Sequence, residues 1–199
     1  MISALLLAAG QGSRMGYEAK ALLALGETTF VQHALQQLSD AGMDEVILVT
    51  GAQRDAVWQA VSQPADTRIP LREAYNPNYP SGILSSIQMG LKVVHPQSEA
   101  VLITLVDLPF LSAEDFRTAS DHWRRGDAFT LLRSRSAGKP AHPVIIPRAY
   151  FSQIMEQPPS DKGCSFLFKQ YPERVVFHEV ATGRIDIDTI EDYHAHISS

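Results

Sequence analysis

Three runs of continuous apolar residues stand out along the chain: Ile2 to Leu7, Glu45 to Thr50 (EVILVT) and Ala100 to Val106 (AVLITLV). Runs without polar alternation suit strands buried on both faces of a parallel sheet. Ile69 to Tyr75 gives a weaker, shorter strand. Helical spacing fills the gaps. Phe30, Ala34, Leu38 and Ala41 share one face of a helix that Thr29 caps and Gly42 ends. A short helix runs from Gly51 to Val61, followed by a polar loop over Gln63–Arg68. The turn cluster Asn76 to Gly82 leads into a helix with Ile83, Ile87, Leu91 and Val94 on one stripe. Ser112 caps a helix reaching about Arg125. Beyond it the pattern predicts a strand at Ala128–Arg133, a loop at Gly138–Pro143 and a strand at Val144–Ile146. A helix at Arg148–Met155, a loop at Gln157–Gly163, a helical stretch at Cys164–Tyr171 and an extended one at Val175–Val180 follow. A last helix begins at Ile190. Strands alternating with helices predict a doubly wound α/β domain with a mostly parallel sheet, one domain spanning residues 1–199.

Composition narrows this picture only a little. With 199 residues, 45% apolar and 20% charged, the chain can bury one sizeable core. A net charge of −5 with no basic stripe argues against a nucleic-acid partner, while local cations still permit a nucleotide. The single cysteine, Cys164, excludes an internal disulfide. No stretch reaches the length of a membrane span, and the N-terminus lacks the pattern of a signal peptide. The expected compartment is the cytoplasm.

The candidate chemistry starts where the first strand ends. Leu5 to Lys20 reads LLLAAGQGSRMGYEAK, an apolar run entering a turn with Gly10, Gly12 and Gly16, with Arg14 and Lys20 close by. Glycines let backbone N–H groups approach a ligand closely, and with two cations they form a cradle for phosphate. No Gly-Lys-Ser/Thr closes the loop, so it is not a Walker A motif. The G-x-G-x-x-x-G spacing also departs from the dinucleotide fingerprint. Asp107 follows the strongest strand, where ligands of open α/β sheets gather. It is read either as a turn residue before Pro109 or, given the phosphate loop, as a ligand for Mg²⁺, which needs few carboxylates at a phosphate site. Ser85 and Ser86, in the first turn of a helix, are open to capping, to solvent or to a ribose or base. Cys164 lies in an apolar helical pattern and reads as a packing residue. His194 and His196, two apart, do not share a helix face.

Five motifs then appear in order: LAAGQGSRMGYEAK (Leu7–Lys20), NPNYPSGILSS (Asn76–Ser86), DLP (Asp107–Pro109), KPAHPV (Lys139–Val144) and DIDT (Asp186–Thr189). On these the chain resembles the MobA-like nucleotidyltransferases, and among them it looks most like the molybdenum cofactor cytidylyltransferases. The resemblance implies a Rossmann-like nucleotidyltransferase fold. It implies a nucleotide site at Leu7, Ala8, Ala9, Gly10, Gly12, Ser13, Arg14, Lys20, Gly82 and Ser86, in which Arg14 and Lys20 hold the triphosphate and the developing pyrophosphate. Asp107 and one of Asp186 and Asp188 would bind Mg²⁺, or Mn²⁺ in its place. His142, Asp161 and Lys162 would face the acceptor. LAAG, rather than LAGG, is the form associated with CTP. Arg133 and Arg135 are open to solvation or to holding an anionic pterin.

The implied reaction is transfer of CMP from CTP to the terminal phosphate of a molybdopterin-type cofactor, with a molybdoenzyme as the expected recipient of the product. An acceptor phosphate with a second pKa of ~6 needs no strong general base, consistent with the lack of a Ser-His-Asp or Cys-His arrangement. Two other enzymatic readings keep the chemistry: a sugar, alditol or choline phosphate as acceptor, or guanylyl transfer to the same cofactor. A non-catalytic cofactor carrier or chaperone is the third reading, against which Arg14, Lys20, Asp107 and the Asp186/Asp188 pair speak.

Overall fold

The computed structural model describes residues 1–10, 19–62 and 69–197. Gly12, Ser13, Arg14 and the expected loop at Gln63–Arg68 lie outside the described residues.

The three apolar runs form the centre of a seven-stranded sheet. β1 (Ile2–Ala8) lies between β4 (Glu45–Thr50) and β6 (Ala100–Leu105), parallel to both, with Leu5 opposite Ile47 on one side and Ile103 on the other. Every residue of β1 and β4 is buried, which is why neither shows polar alternation. Side chains alternate between two cores. Ala4, Leu6, Leu48 and Leu102 pack with Phe30, Leu35 and Phe116, from helices α1 (Phe30–Asp40) and α4 (Ala113–Trp123). Leu5, Ile47 and Ile103 pack on the opposite face with Leu84, Ile87 and Leu91 of α3 (Ile83–Leu91). Helices therefore cover both faces, as the strand–helix alternation predicts.

Helix starts follow local chemistry. Thr29 and Ser112 each accept from the N3 backbone N–H, and Gln32 and Asp115 answer from N3, which completes two capping boxes. The apolar Ala21–Leu25 stretch is used differently. It forms a single 3₁₀ turn at Lys20–Leu22, then a small hairpin of β2 (Ala24–Leu25) and β3 (Thr28–Thr29) that folds back at Gly26.

The strand order is β5-β4-β1-β6-β8-β7-β9, where β5 is Leu71–Tyr75, β7 is Leu131–Ser136, β8 is Lys139–Pro147 and β9 is Val175–Glu179. Four of these six pairings are parallel; β8 runs antiparallel to both β6 and β7. Here the structure corrects the sequence reading. The strand expected at Ala128–Arg133 is β7, Leu131–Ser136, and the expected loop Gly138–Pro143 is mostly strand, because β8 spans Lys139–Pro147. Prolines usually demote a strand, since they lack an N–H. This strand tolerates Pro143 because the ladder breaks between Arg133 and Ser134, so that Arg133 pairs Val144 while Ser134 pairs Ala141. Pro143 falls inside that bulge, where no ladder donor is required.

Smaller helices complete the second half: α5 (Phe151–Glu156), α6 (Ser165–Gln170) and α7 (Ile190–His196). Between α1 and β5 lies α2 (Arg54–Ser62). Among the described residues no helix is long and apolar enough to cross a membrane.

Candidate active site

The carboxyl ends of β1 and β6 open onto a cleft of about 370 Å³. Leu7, Ala8, Ala9 and Gly10 form one wall, and Leu105, Val106 and Asp107 another. This is the crevice in which open α/β sheets bind ligands. The small residues after β1 serve a packing need: a Cβ on Gly51 would lie 2.7 Å from the Ala9 carbonyl oxygen and 2.9 Å from the Tyr79 Cβ. Gly51 thus lets the two strand ends close together, and Tyr79 also lines the cleft.

Three charged groups meet there. Lys20 Nζ donates to Asp107 Oδ2 at 3.0 Å and to Asp188 Oδ1. The Lys20 and Asp107 side chains retain only 17% and 21% of their exposure, so the pair is partly shielded from water. Burial alone would lower the Lys20 pKa, but Asp107 and Asp188 outweigh it and hold the ammonium above the ordinary lysine value. Asp188 arrives from 81 residues further along the chain than Asp107, and its position has a local cause. Ile187 is fully buried in the core, and its N–H donates to the Asp107 carbonyl at 3.0 Å. The Asp192 carboxylate accepts from the Asp188 and Thr189 N–H groups, fixing the entry to α7. Asp186, one residue before the anchor, is exposed and does not line the cleft; Asp188 does.

The residues present suit a hard divalent cation. Asp107 and Asp188 offer carboxylate oxygens around one point of positive charge, and Asp107 Oδ1 is buried with no hydrogen-bond partner among the described residues. A buried carboxylate oxygen left unpaired is costly, and a metal is the partner that such an oxygen accepts at a phosphate site.

Opposite the carboxylates, Gly82, Ile83 and Ser86 line the cleft from the start of α3. Ser85 and Ser86 are buried, held by the Asn76 amide, which donates to both hydroxyls at 2.9 and 3.0 Å. Asn76 is itself 1% exposed and accepts from the Asn78 N–H. Gly82 (φ +111°) has a further task. A Cβ there would sit 2.6 Å from the Ser160 carbonyl oxygen and 2.8 Å from the Asp161 nitrogen. The 157–163 segment crosses directly over it, and Leu84 N–H donates to Ser160 O at 3.0 Å. That crossing brings Asp161 to the cleft wall.

A second chamber of about 220 Å³ adjoins the first and contains His142, Asp161, Lys162 and Cys164 in its lining. His142 Nδ1 lies 3.3 Å from the Ile103 carbonyl, and burial pushes its pKa down, opposed in part by that carbonyl and by Asp107. Its backbone N–H donates to Gly183 O, and a Cβ on Gly183 would collide with the His142 carbonyl. Burial raises the Cys164 thiol to about 12, so it stays protonated and packs rather than attacks. Gly51 and Gly183 escape sequence reasoning, since each makes room for a partner distant in sequence; Asn76 opens a motif that the sequence marks, but its role in holding Ser85 and Ser86 is seen only in the structure.

A protein-family model described as the MobA-like NTP transferase domain matches residues 4–175. The chain belongs to this family. Nicotine blue oxidoreductase from Paenarthrobacter nicotinovorans is 30% identical over 200 residues, covering 97% of this chain and 95% of that protein. A probable molybdenum cofactor guanylyltransferase from Methanosarcina mazei is 32% identical over 126 residues, 60% of this chain and 54% of that one. Among solved structures, the Mycobacterium tuberculosis protein Rv0371c in complex with manganese superposes with a TM-score of 0.74 at 23% identity, over 100% of this chain and 98% of that one. MobA-like membership makes the chain an NTP transferase by family, with a nucleotide as substrate.

Proposed function

We propose that the chain is a cytidylyltransferase that moves CMP from CTP to the terminal phosphate of a molybdopterin-type cofactor, releasing pyrophosphate. The observation that carries the nucleotidyl-transfer reading is the convergence of Lys20, Asp107 and Asp188 at the open end of β1 and β6. The LAAG motif at Leu7–Gly10 supports CTP over GTP, and the resemblance carried by the five ordered motifs, with His142 of KPAHPV assigned to the second substrate, supports the cofactor as acceptor.

The chemistry asked of the protein is positioning and charge neutralisation. The acceptor phosphate is largely dianionic at neutral pH and attacks the α-phosphorus in line, without a general base. Lys20, held protonated by its two carboxylates, would exchange them for phosphate oxygens as charge builds on the leaving pyrophosphate. Arg14 shares that role. Asp107 and Asp188 would hold Mg²⁺ or Mn²⁺, which supplies Lewis-acid neutralisation of phosphate oxygens when bound; a manganese complex of a structural neighbour supports the choice of ion. Gly82 and Ser86 border the ribose or base, and His142, Asp161 and Lys162 border the acceptor.

Pyrophosphate release with each of the four nucleoside triphosphates, Mg²⁺ and molybdopterin tests this reading. Release that requires both CTP and the cofactor supports it; release with CTP and a sugar or choline phosphate reassigns the acceptor, and a preference for GTP reassigns the nucleotide. A second reading, an oxidoreductase, is favoured by the similarity to nicotine blue oxidoreductase over 97% of this chain. Oxidation of NADH or NADPH by the purified chain, without pyrophosphate release, would select it.

A further inference from the structure

The sheet ends at β9, which pairs with β7 on one side only. Val176 of β9 packs against the core that holds Phe116 and Ala119 of α4. Two residues on, His178 leaves the strand on the same side as Val176 and meets His122 of α4. The two Nδ1 atoms lie 3.4 Å apart, and the rings approach edge to face at 64°. Both histidines are half-buried, and neither lines the cleft or the second chamber.

The hydrogen bonds around the pair decide where its lone pairs point. Thr118, one helical turn before His122, donates its hydroxyl proton to the Glu114 carbonyl at 2.8 Å. The same hydroxyl oxygen lies 3.3 Å from His178 Nε2, and with its proton committed it can only accept there. Nε2 therefore carries the hydrogen of neutral His178, and Nδ1 turns a bare lone pair toward His122. A gap of 3.4 Å is long for a hydrogen bond between them, whose usual span is about 2.7–3.2 Å. It fits a different geometry. Two imidazole nitrogens bound to one tetrahedral Zn²⁺ at about 2.0–2.1 Å stand about 3.3–3.4 Å apart. Thr118 supplies the outer contact that orients a ligating imidazole. Burial and the charge of His122 lower the His178 pKa, while Asp115 and Glu179 act to raise it. Those two carboxylates give the surroundings a negative field that favours a cation.

We propose that His122 and His178 form a two-imidazole site for a divalent transition-metal ion, Zn²⁺ in the first instance, which clips α4 to the edge strand β9. Binding requires only that His122, like His178, carry its hydrogen on Nε2. Two nitrogens leave the other positions of the tetrahedron to water, so the site is weaker than a four-ligand structural zinc centre. Imidazole suits Zn²⁺, Ni²⁺ and Cu²⁺, whereas Mg²⁺ takes oxygen ligands. The site is therefore separate in place and in chemistry from the carboxylates of the cleft, and it does not depend on the nucleotidyl-transfer reading.

Calorimetry of the chelator-treated full chain with ZnCl₂ is the experiment, run in millimolar Mg²⁺ to occupy the cleft carboxylates. The wild-type chain should bind one Zn²⁺ in the micromolar range despite the Mg²⁺. His122→Gln and His178→Gln should each weaken that binding by about tenfold or more, and Thr118→Val, which removes the acceptor at Nε2, by ~tenfold. Asp107→Ala should leave it unchanged. Saturating Zn²⁺ should raise the melting temperature of the wild-type chain and leave that of His178→Gln where it was. Glutamine variants that are folded by their melting curves yet keep wild-type Zn²⁺ affinity overturn the proposal, as does a wild-type chain that binds no Zn²⁺ below millimolar concentration. Binding lost in Asp107→Ala and kept in His178→Gln places the ion in the cleft and overturns it equally.

Discussion

Gly82→Ala should cost both stability and activity, and the cost can be worked from the backbone. At φ +111° an L side chain is strained, a cost of about 1–3 kcal/mol. The new Cβ would also lie 2.6 Å from Ser160 O and 2.8 Å from Asp161 N, which are backbone atoms that cannot rotate away. Overpacking of this kind adds ~1–3 kcal/mol. Relief by moving the 157–163 segment would break the 3.0 Å bond from Leu84 N–H to Ser160 O and carry Asp161 off the cleft wall. A loss of about 3 kcal/mol or more follows, equivalent to ~6–12 °C in Tm for a domain of this size. Gly138→Ala is the control: its φ is +73° but nothing lies within 4 Å of the added Cβ, so it carries the conformational strain without the collision. Urea denaturation of both variants, together with the KM for the acceptor, reads the difference. If Gly82→Ala loses no more stability than Gly138→Ala, the close crossing is not a constraint and the reasoning is wrong.

Other substitutions probe the site from different sides. Asp107→Ala should lower kcat for nucleotidyl transfer by ~10²-fold or more while Tm moves by only a few degrees; full activity with Mg²⁺ would exclude Asp107 as the metal ligand. Lys20→Met should lower kcat/KM by ~10²–10³ in the same assay, with little stability change because its ion pairs are partly hydrated. Asn76→Ala removes two donated bonds and one accepted bond from a buried amide, so denaturation should show a loss of about 2–3 kcal/mol. The pH dependence of Tm has a definite sign. Burial, and then the charge of His122, lowers the His178 pKa, and burial also lowers those of His33 and His142. The unfolded chain therefore binds more protons than the folded one as pH falls through ~6.5, so stability is full above that value and declines below it. His178→Gln should flatten this acid limb, and an unchanged slope in a pH series of melting curves would count against the assignment.

How much of this was legible in advance depends on the distance over which each residue acts. Asp107 was readable because a buried strand announces itself by its apolar run and the residue following it must emerge at the carboxyl edge. Thr29 and Ser112 were readable because capping is settled within four residues. The antiparallel β8 was not: its three prolines argue locally for a loop, and the bulge opposite Arg133 and Ser134 makes room for Pro143 alone. Gly82 was singled out for a ligand, whereas its backbone is also required for a crossing by Ser160, 78 residues away. The pairing of Lys20 with Asp188 depends on Ile187 burying itself in the core, and no local pattern separates Asp188 from Asp186.

Under the proposed function this cleft joins the α-phosphate of CTP to a phosphate on a second molecule. Following the label from [α-³²P]CTP, with molybdopterin and Mg²⁺, tests it most directly. Label should appear in a cofactor-linked product, formed one for one with pyrophosphate and absent with Asp107→Ala. Label that stays in CTP, with no pyrophosphate formed, would contradict it.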